Sequence, residues 1–216
     1  MKKYIVYTFV LFLMLIISFG NINAQNSFPL VGKIIVVDPG HGGVDPGTVF
    51  GDIYEKNLNL EISQHLKNIL EQYGASVIIT RQADYDLSSP NAIYRKKSDF
   101  DNRIKLINES KADLYLSIHL NYLTDSSYFG PQVFYNTNEK KLALILQKSL
   151  NNVAKSDRNI KLIPSETYMY KRLNVPGLLI ECGFLSNASE RKKLNSESYQ
   201  QKISEAITKG VIEYFT

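Results

Sequence analysis

The chain has 216 residues, 44% of them hydrophobic, enough for one sizeable buried core but short for two. Lys and Arg number 25 against 21 Asp and Glu; with Lys2 and Lys3 of the N-terminal segment set aside the balance is 23 against 21, near +2. That is too even for a nucleic-acid binder, whose basic face shows as a strong excess of one sign. The single cysteine, Cys182, excludes an internal disulfide, so an exported fold of this size must be held by its core or by a metal.

The first two dozen residues read as an export segment. Two lysines precede a mostly apolar run from Ile5 to Phe19, and a small residue, Ala24, follows a polar stretch. As a helix that run reaches about 22 Å, short of the ~30 Å hydrocarbon core. Residues 1–24 are therefore expected to be a signal peptide cleaved after Ala24, or else an uncleaved membrane anchor, with residues 25–216 outside the cytoplasm.

From there apolar runs alternate with amphipathic ones. "KIIVV" (33–37) predicts a strand. "NLNLEISQHLKNILEQYG" (57–74) predicts a helix with Leu58, Ile62, Leu66, Ile69 and Tyr73 on one side and Gly74 as its stop. "ASVIIT" (75–80) is the next strand, followed by a polar loop around "DLSSPN" and a helix through Arg95 to Asn108. "DLYLSIH" (113–119) and "QVFYN" (132–136) are strands, then a helix near 138–154, the strand "GLLIE" (177–181) and a closing helix from about Glu197 to Tyr214. Near-continuous apolar strands between helices predict an α/β fold: one domain, a mostly parallel twisted sheet with helices on both faces.

Three strands end on chemistry. "IIVVDPGH", "LYLSIH" and "LLIE" each pass from an apolar run to a metal-capable or acid–base side chain. Ligands in open α/β sheets bind beyond the carboxyl ends of the strands, so His41, His119 and Glu181 are expected to converge on one crevice. Two histidines and a carboxylate form the ligand set of a catalytic zinc with a fourth position open to water. Spacing leaves the carboxylate undecided. Glu55, in "YEKNLNLEI", competes with Glu181, and Asp38 and Asp45 are further options. The glycines of "DPGHGG" let the chain turn sharply and keep bulk away from the site. His65, beside the apolar stripe of its helix, reads as structural. Cys182 points opposite to Glu181 on its strand and reads as a small buried residue. Asp38 reads as a brace for the turn or its histidine.

"VVDPGHGGVDPG", "EKNLNL", "ADLYLSIHLN" and "PGLLIECGFLSN", in that order from about Lys33 to the C-terminus, resemble the successive motifs of the zinc-dependent N-acetylmuramoyl-L-alanine amidases, amidase type 3. Within that family the chain is most similar to the germination-specific amidases of spore formers, which join an export segment to a bare catalytic domain. The resemblance implies that His41, Glu55 and His119 hold Zn2+ and that Glu181 is the catalytic carboxylate, taking a proton from zinc-activated water and passing it to the leaving L-alanine nitrogen. Asn121 and Arg103 match family positions and imply support for the site.

The implied substrate is peptidoglycan, cut at the junction of stem peptide and sugar, in the cell wall or in the spore cortex, where bare muramic acid goes on to a lactam. No repeat or second composition regime points to an attached wall-binding module. An accessory lipoprotein or a membrane tether is left open, and oligomeric state is not legible. Leu120 and Tyr122 stand where many relatives have small residues, which bears on the pocket wall. Ten residues between Asn121 and Gln132 leave no room for the long inserted helix that covers zinc in some relatives. The rival readings are a zinc peptidase acting within the stem and a non-catalytic wall-binding module that kept the fold.

Overall fold

The computed structural model describes residues 28–216, so the export segment expected at residues 1–24 lies outside the described residues. Among those described, no helix is long and apolar enough to cross a membrane. The strands are β1 (Ile34–Pro39), β2 (Val49–Phe50), β3 (Ile53–Tyr54), β4 (Ser76–Ile79), β5 (Leu114–Asn121), β6 (Gln132–Tyr135), β7 (Lys161–Leu162) and β8 (Gly177–Phe184). The helices are α1 (Glu55–Gln72), α2 (Arg95–Glu109), α3 (Lys140–Ala154), α4 (Ala188–Leu194) and α5 (Glu197–Phe215).

Six strands form one sheet in the order β4-β1-β5-β8-β6-β7, and β2 pairs with β3 in a separate hairpin. β4, β1, β5 and β8 run parallel, while β6 turns the direction by pairing antiparallel to β8. The parallel core requires crossovers, and the helices between strands supply them. The sheet is mostly parallel, as expected for buried strands that read as unbroken apolar runs.

Because successive strand residues point to opposite faces, each strand divides its side chains between two layers. Ile35, Val37, Leu114, Leu116, Ile118, Leu178 and Ile180 join α1, α3 and α5 in the larger apolar cluster. Val36 and Tyr115 face the other way, into a smaller cluster with Ile107 of α2 and with Met169 and Tyr170. The inward stripe of α1 is Leu58, Ile62, Leu66 and Leu70. Leu58, Ile62 and Leu66 are buried as read from sequence, while at the C-terminal end Leu70 is buried, Ile69 only partly so, and Tyr73 is exposed.

Four small elements were not legible. α4 has the local signal of Asn187, whose side chain accepts the amide of Glu190 at 3.0 Å and caps the helix. The two-residue strands β2, β3 and β7 carry no periodicity to read. Residues 122–131 form an irregular connection without a helix. Leu120 is buried in the larger cluster and Tyr122 is exposed, so neither shapes the crevice wall. Phe100, Tyr168, Met169 and Leu179 do.

Candidate metal centre

Alternation on the strands assembles the site. Asp38 on β1, Ser117 and His119 on β5, and Glu181 on β8 all fall on the face opposite the large cluster. Asp38 is in register with Ser117, and His119 with Glu181. Neighbouring parallel strands lie about 4.8 Å apart, so His119 and Glu181 stand side by side. Cys182, one residue on, is fully buried in the large cluster, and burial pushes its thiol pKa up, as suits an inert packing residue.

Past Pro39 the chain turns abruptly. His41 takes a left-handed backbone, φ 61°, followed by Gly42 at 131° and Gly43 at 56°. A non-glycine residue in that region is strained and persists only where its surroundings over-determine it. Here two arginines do so. Arg103, on α2, donates to the carbonyls of Pro39 (2.8 Å) and His41 (2.6 Å). Arg81, just after β4, donates to those of Pro39, Gly40 and Lys56 at 2.7–3.1 Å. Gly40 has a packing reason as well: a Cβ there would lie 2.2 Å from the His119 ring.

Both guanidinium groups are buried, and buried charge needs partners. Arg103 meets Asp38 at 2.6 Å and Asp99 at 3.0 Å. Asp38 is filled on both oxygens, by Thr80 and Arg103 on one and by Ser117 on the other. Burial pushes its carboxyl upward, yet the Arg103 guanidinium and these hydrogen bonds hold it below the usual range. Asp38 is thus a brace, as read from sequence, but it acts on the turn through Arg103 rather than on a histidine directly.

Glu55 comes from the opposite layer. It opens α1, which packs on the large cluster, and its side chain reaches over the end of β5. One oxygen lies 3.1 Å from His119 Nδ1 and 3.2 Å from His41 Nε2, and accepts the Leu120 amide at 3.1 Å. The other accepts the Thr48 amide at 2.9 Å. Burial opposes its charge, but the two imidazoles hold its carboxyl far below the usual range. His41, Glu55 and His119 each offer a ligand atom, all within 4.8 Å of one another. Asp45 accepts from His41 Nδ1 at 2.9 Å, which leaves Nε2 turned toward the cluster. Burial works against protonation of His41, yet Asp45 and Glu55 raise its pKa to about 9.

Glu181 differs from Glu55 in every respect that matters for chemistry. One of its oxygens is buried with no hydrogen-bond partner. Burial, with the Glu55 charge adding to it, lifts the carboxyl to about 8. It lines the same crevice of about 270 Å³ as His41 and His119. The donor set, two imidazoles and a carboxylate beside a proton-seeking carboxylate, fits a divalent metal of the zinc type. Of the supporting residues, Arg103 is built into the turn, whereas Asn121 ends β5 at a register shift and its carbonyl accepts the Leu185 amide at 2.8 Å. His65 lies half-buried on α1, away from this cluster. Sequence reasoning missed Arg81, whose only signal is a charge directly after a strand, and the crevice wall of Phe100 and Tyr168, whose positions no motif marks.

Residues 35–213 match the sequence pattern of the family described as N-acetylmuramoyl-L-alanine amidase. The chain is 42% identical over 197 residues to the germination-specific N-acetylmuramoyl-L-alanine amidase of Bacillus subtilis, covering 88% of this chain and 83% of that one. Its fold is similar to the CwlD amidase of Clostridioides difficile, solved in complex with the GerS lipoprotein, with TM-score 0.80, 38% identity, and 85% and 98% of the two chains covered. It is also similar to the catalytic domain of CwlV, an N-acetylmuramoyl-L-alanine amidase from Bacillus (Paenibacillus) polymyxa, with TM-score 0.73, 29% identity, and 84% and 97% covered.

Proposed function

The chain belongs to the N-acetylmuramoyl-L-alanine amidase family and is an enzyme of that kind, and from that premise we propose that it cuts the muramoyl–L-alanine amide of peptidoglycan with one zinc ion held by His41, Glu55 and His119. The observation that carries this reading is the convergence of those three ligand atoms within 4.8 Å, at a crevice that also holds Glu181. When bound, zinc supplies Lewis-acid polarisation of the amide carbonyl and lowers the pKa of water toward roughly 7.

The protein's own residues do the rest. Glu181, held near neutrality by burial, takes the proton of the attacking water and returns it to the L-alanine nitrogen as the C–N bond breaks. Asp45 fixes the His41 ring by accepting from Nδ1. Arg103 and Arg81 hold the turn that carries His41. The buried Glu55 carboxylate, held toward its charged form by the two imidazoles, favours a cation over a neutral ligand. Arg103 serves as support behind the metal-facing shell, and Asn121 as support at the strand end.

The relatives, cell-wall and germination amidases by name, support the setting proposed for this chain. Residues 1–24 direct export, and 25–216 act outside the cytoplasm on cell wall or spore cortex, where the product is bare muramic acid for lactam formation. A lipoprotein partner, of the kind seen with the Clostridioides difficile relative, is the favoured accessory. The test has two parts. The purified protein should carry about one zinc, lose activity with a chelator, and release intact stems beginning with L-alanine, as read by mass spectrometry of digested wall. Glu181→Gln should keep zinc and lose 10²- to 10⁴-fold in turnover, while Glu55→Gln should lose zinc. The opposite pattern reverses the two glutamates, and stems cut internally would make the enzyme a peptidase.

A further inference from the structure

The crevice continues along the N-terminal turn of α2 into a second groove of about 550 Å³, and Lys96, Phe100 and Tyr168 line both. Three cations stand in a row there, but they are not equivalent. Arg95 closes on Asp86 at 2.8 Å and Lys97 on Asp101 at 2.6 Å, both away from the metal centre. Lys96 alone turns to the crevice. Its ammonium reaches Asp45 at 2.5 Å while its side chain stays more than half exposed, and it sits over the Phe100 ring at 5.4 Å. An ammonium carries three donors, and this one donates to Asp45 Oδ2. Its charge is shared with Asp45, and its remaining donors lie at the mouth of the site, on an aromatic floor.

Its position sets what it can recognise. Asp45 Oδ2 joins Lys96 to His41 Nδ1, so Lys96 is two hydrogen bonds and one imidazole width from the metal-facing Nε2. In the stem peptide, the residue after L-alanine carries a free α-carboxylate when its chain continues through the side-chain carboxyl. From the scissile nitrogen to that carboxyl carbon is nearly two extended residues, roughly 7 Å. Lys96, His41 and Glu181 line one crevice, so a carboxyl with that reach lies within it. A single flexible ammonium pairs with a carboxylate as a point charge.

Resting on the amidase reading above, we propose that Lys96 is a specificity residue that binds the free α-carboxylate of the second stem residue, with Phe100 and Tyr168 flanking the peptide. Amidation of that carboxylate, which removes its charge, then weakens the substrate. Because the contact is made equally before and during bond cleavage, its effect falls on KM rather than kcat.

The experiment uses the zinc-loaded full chain and two purified N-acetylmuramoyl tripeptides that differ only in a carboxylate or a carboxamide at that position. Wild type should favour the carboxylate roughly five- to tenfold in kcat/KM, the scale of one partly exposed charged hydrogen bond. Lys96→Met should treat the two alike at unchanged zinc content, and Lys96→Arg should restore the preference. A wild type that cuts both equally, or a Lys96→Met variant that still discriminates, overturns the assignment. Failure of the loaded wild type to cut either compound overturns the amidase reading itself and this assignment with it.

Discussion

The two faces of the central sheet are built from alternate residues of the same strands, yet they obey different physics. Toward α1, α3 and α5 the strands present Ile35, Val37, Leu116, Ile118, Ile180 and Cys182, all fully buried. Toward α2 they present Asp38, Ser117, His119 and Glu181. The first face is stabilised by apolar area removed from water, which is tolerant of detail and roughly additive. The second holds charge in low dielectric, where each group depends on its neighbour and removing one strands the others. The lesson is that one sheet can be anchored from one side and functional on the other. Glu55 crosses between the layers by opening a helix of the apolar side, and Asn59 of the same helix reaches the Gly40 carbonyl at 3.2 Å.

Arg103→Met gives the largest expected effect. It leaves Asp38 and Asp99 buried without their cation, a loss of about 3–5 kcal/mol, read as a fall in denaturation midpoint. In wild type Asp38 titrates below its ordinary value, so its contribution is present above that value and disappears as acid protonates it. In the variant burial is opposed by the Thr80 hydrogen bond but no longer by Arg103, so the Asp38 carboxyl titrates higher than in wild type and is better tolerated protonated. The stability gap between the two proteins should narrow as pH falls toward 4. A gap that widens on acidification would mean that Arg103 is not the partner of that carboxylate.

Leu66→Ala tests the other face. Leu66 is fully buried in α1, and its truncation should cost about 2–4 kcal/mol by lost transfer energy and a residual cavity. The folded fraction should bind zinc and turn over as wild type does. Loss of metal affinity at full folding would show that the two faces are coupled more tightly than their separate packing suggests.

Asp45→Asn is the smallest of the three and the most local. It should weaken zinc binding about 10- to 100-fold by loosening the His41 ring, with a change in thermal midpoint too small to resolve. Isothermal titration with zinc decides it, and unchanged affinity would leave Asp45 without an orienting role.

Much of this was legible in the residues themselves. Runs such as "IIVV", "LYLSI" and "LLI", short, carrying β-branched residues and bounded by turn residues, read as strands buried on both sides, and the amphipathic stretches between them as crossovers, so sheet and helices follow from hydrophobic patterning. Period-two alternation then places His119 and Glu181 on one face and Cys182 on the other without further information. Glycines beside a histidine at a strand end mark a sharp turn at a site, and the structure adds a packing reason in the close approach of the His119 ring to Gly40.

The tertiary structure alone decided how the two glutamates differ. In the chain both Glu55 and Glu181 stand near the start or end of an element, with nothing local to rank them. Folding carries Glu55 across the layer boundary to within hydrogen-bond distance of both imidazoles, and it leaves an oxygen of Glu181 buried without a partner. The same holds for Arg81, which reads as an ordinary charge, and for Arg103, implied as site support by resemblance, both of which become clamps of a left-handed turn, and for Lys96, distinguished from Arg95 and Lys97 only by which carboxylate it reaches. Patterning is local and one-dimensional, so it specifies elements and faces. The state of a charge depends on what lies within a few ångströms in space, and that is set only when segments distant in sequence pack together.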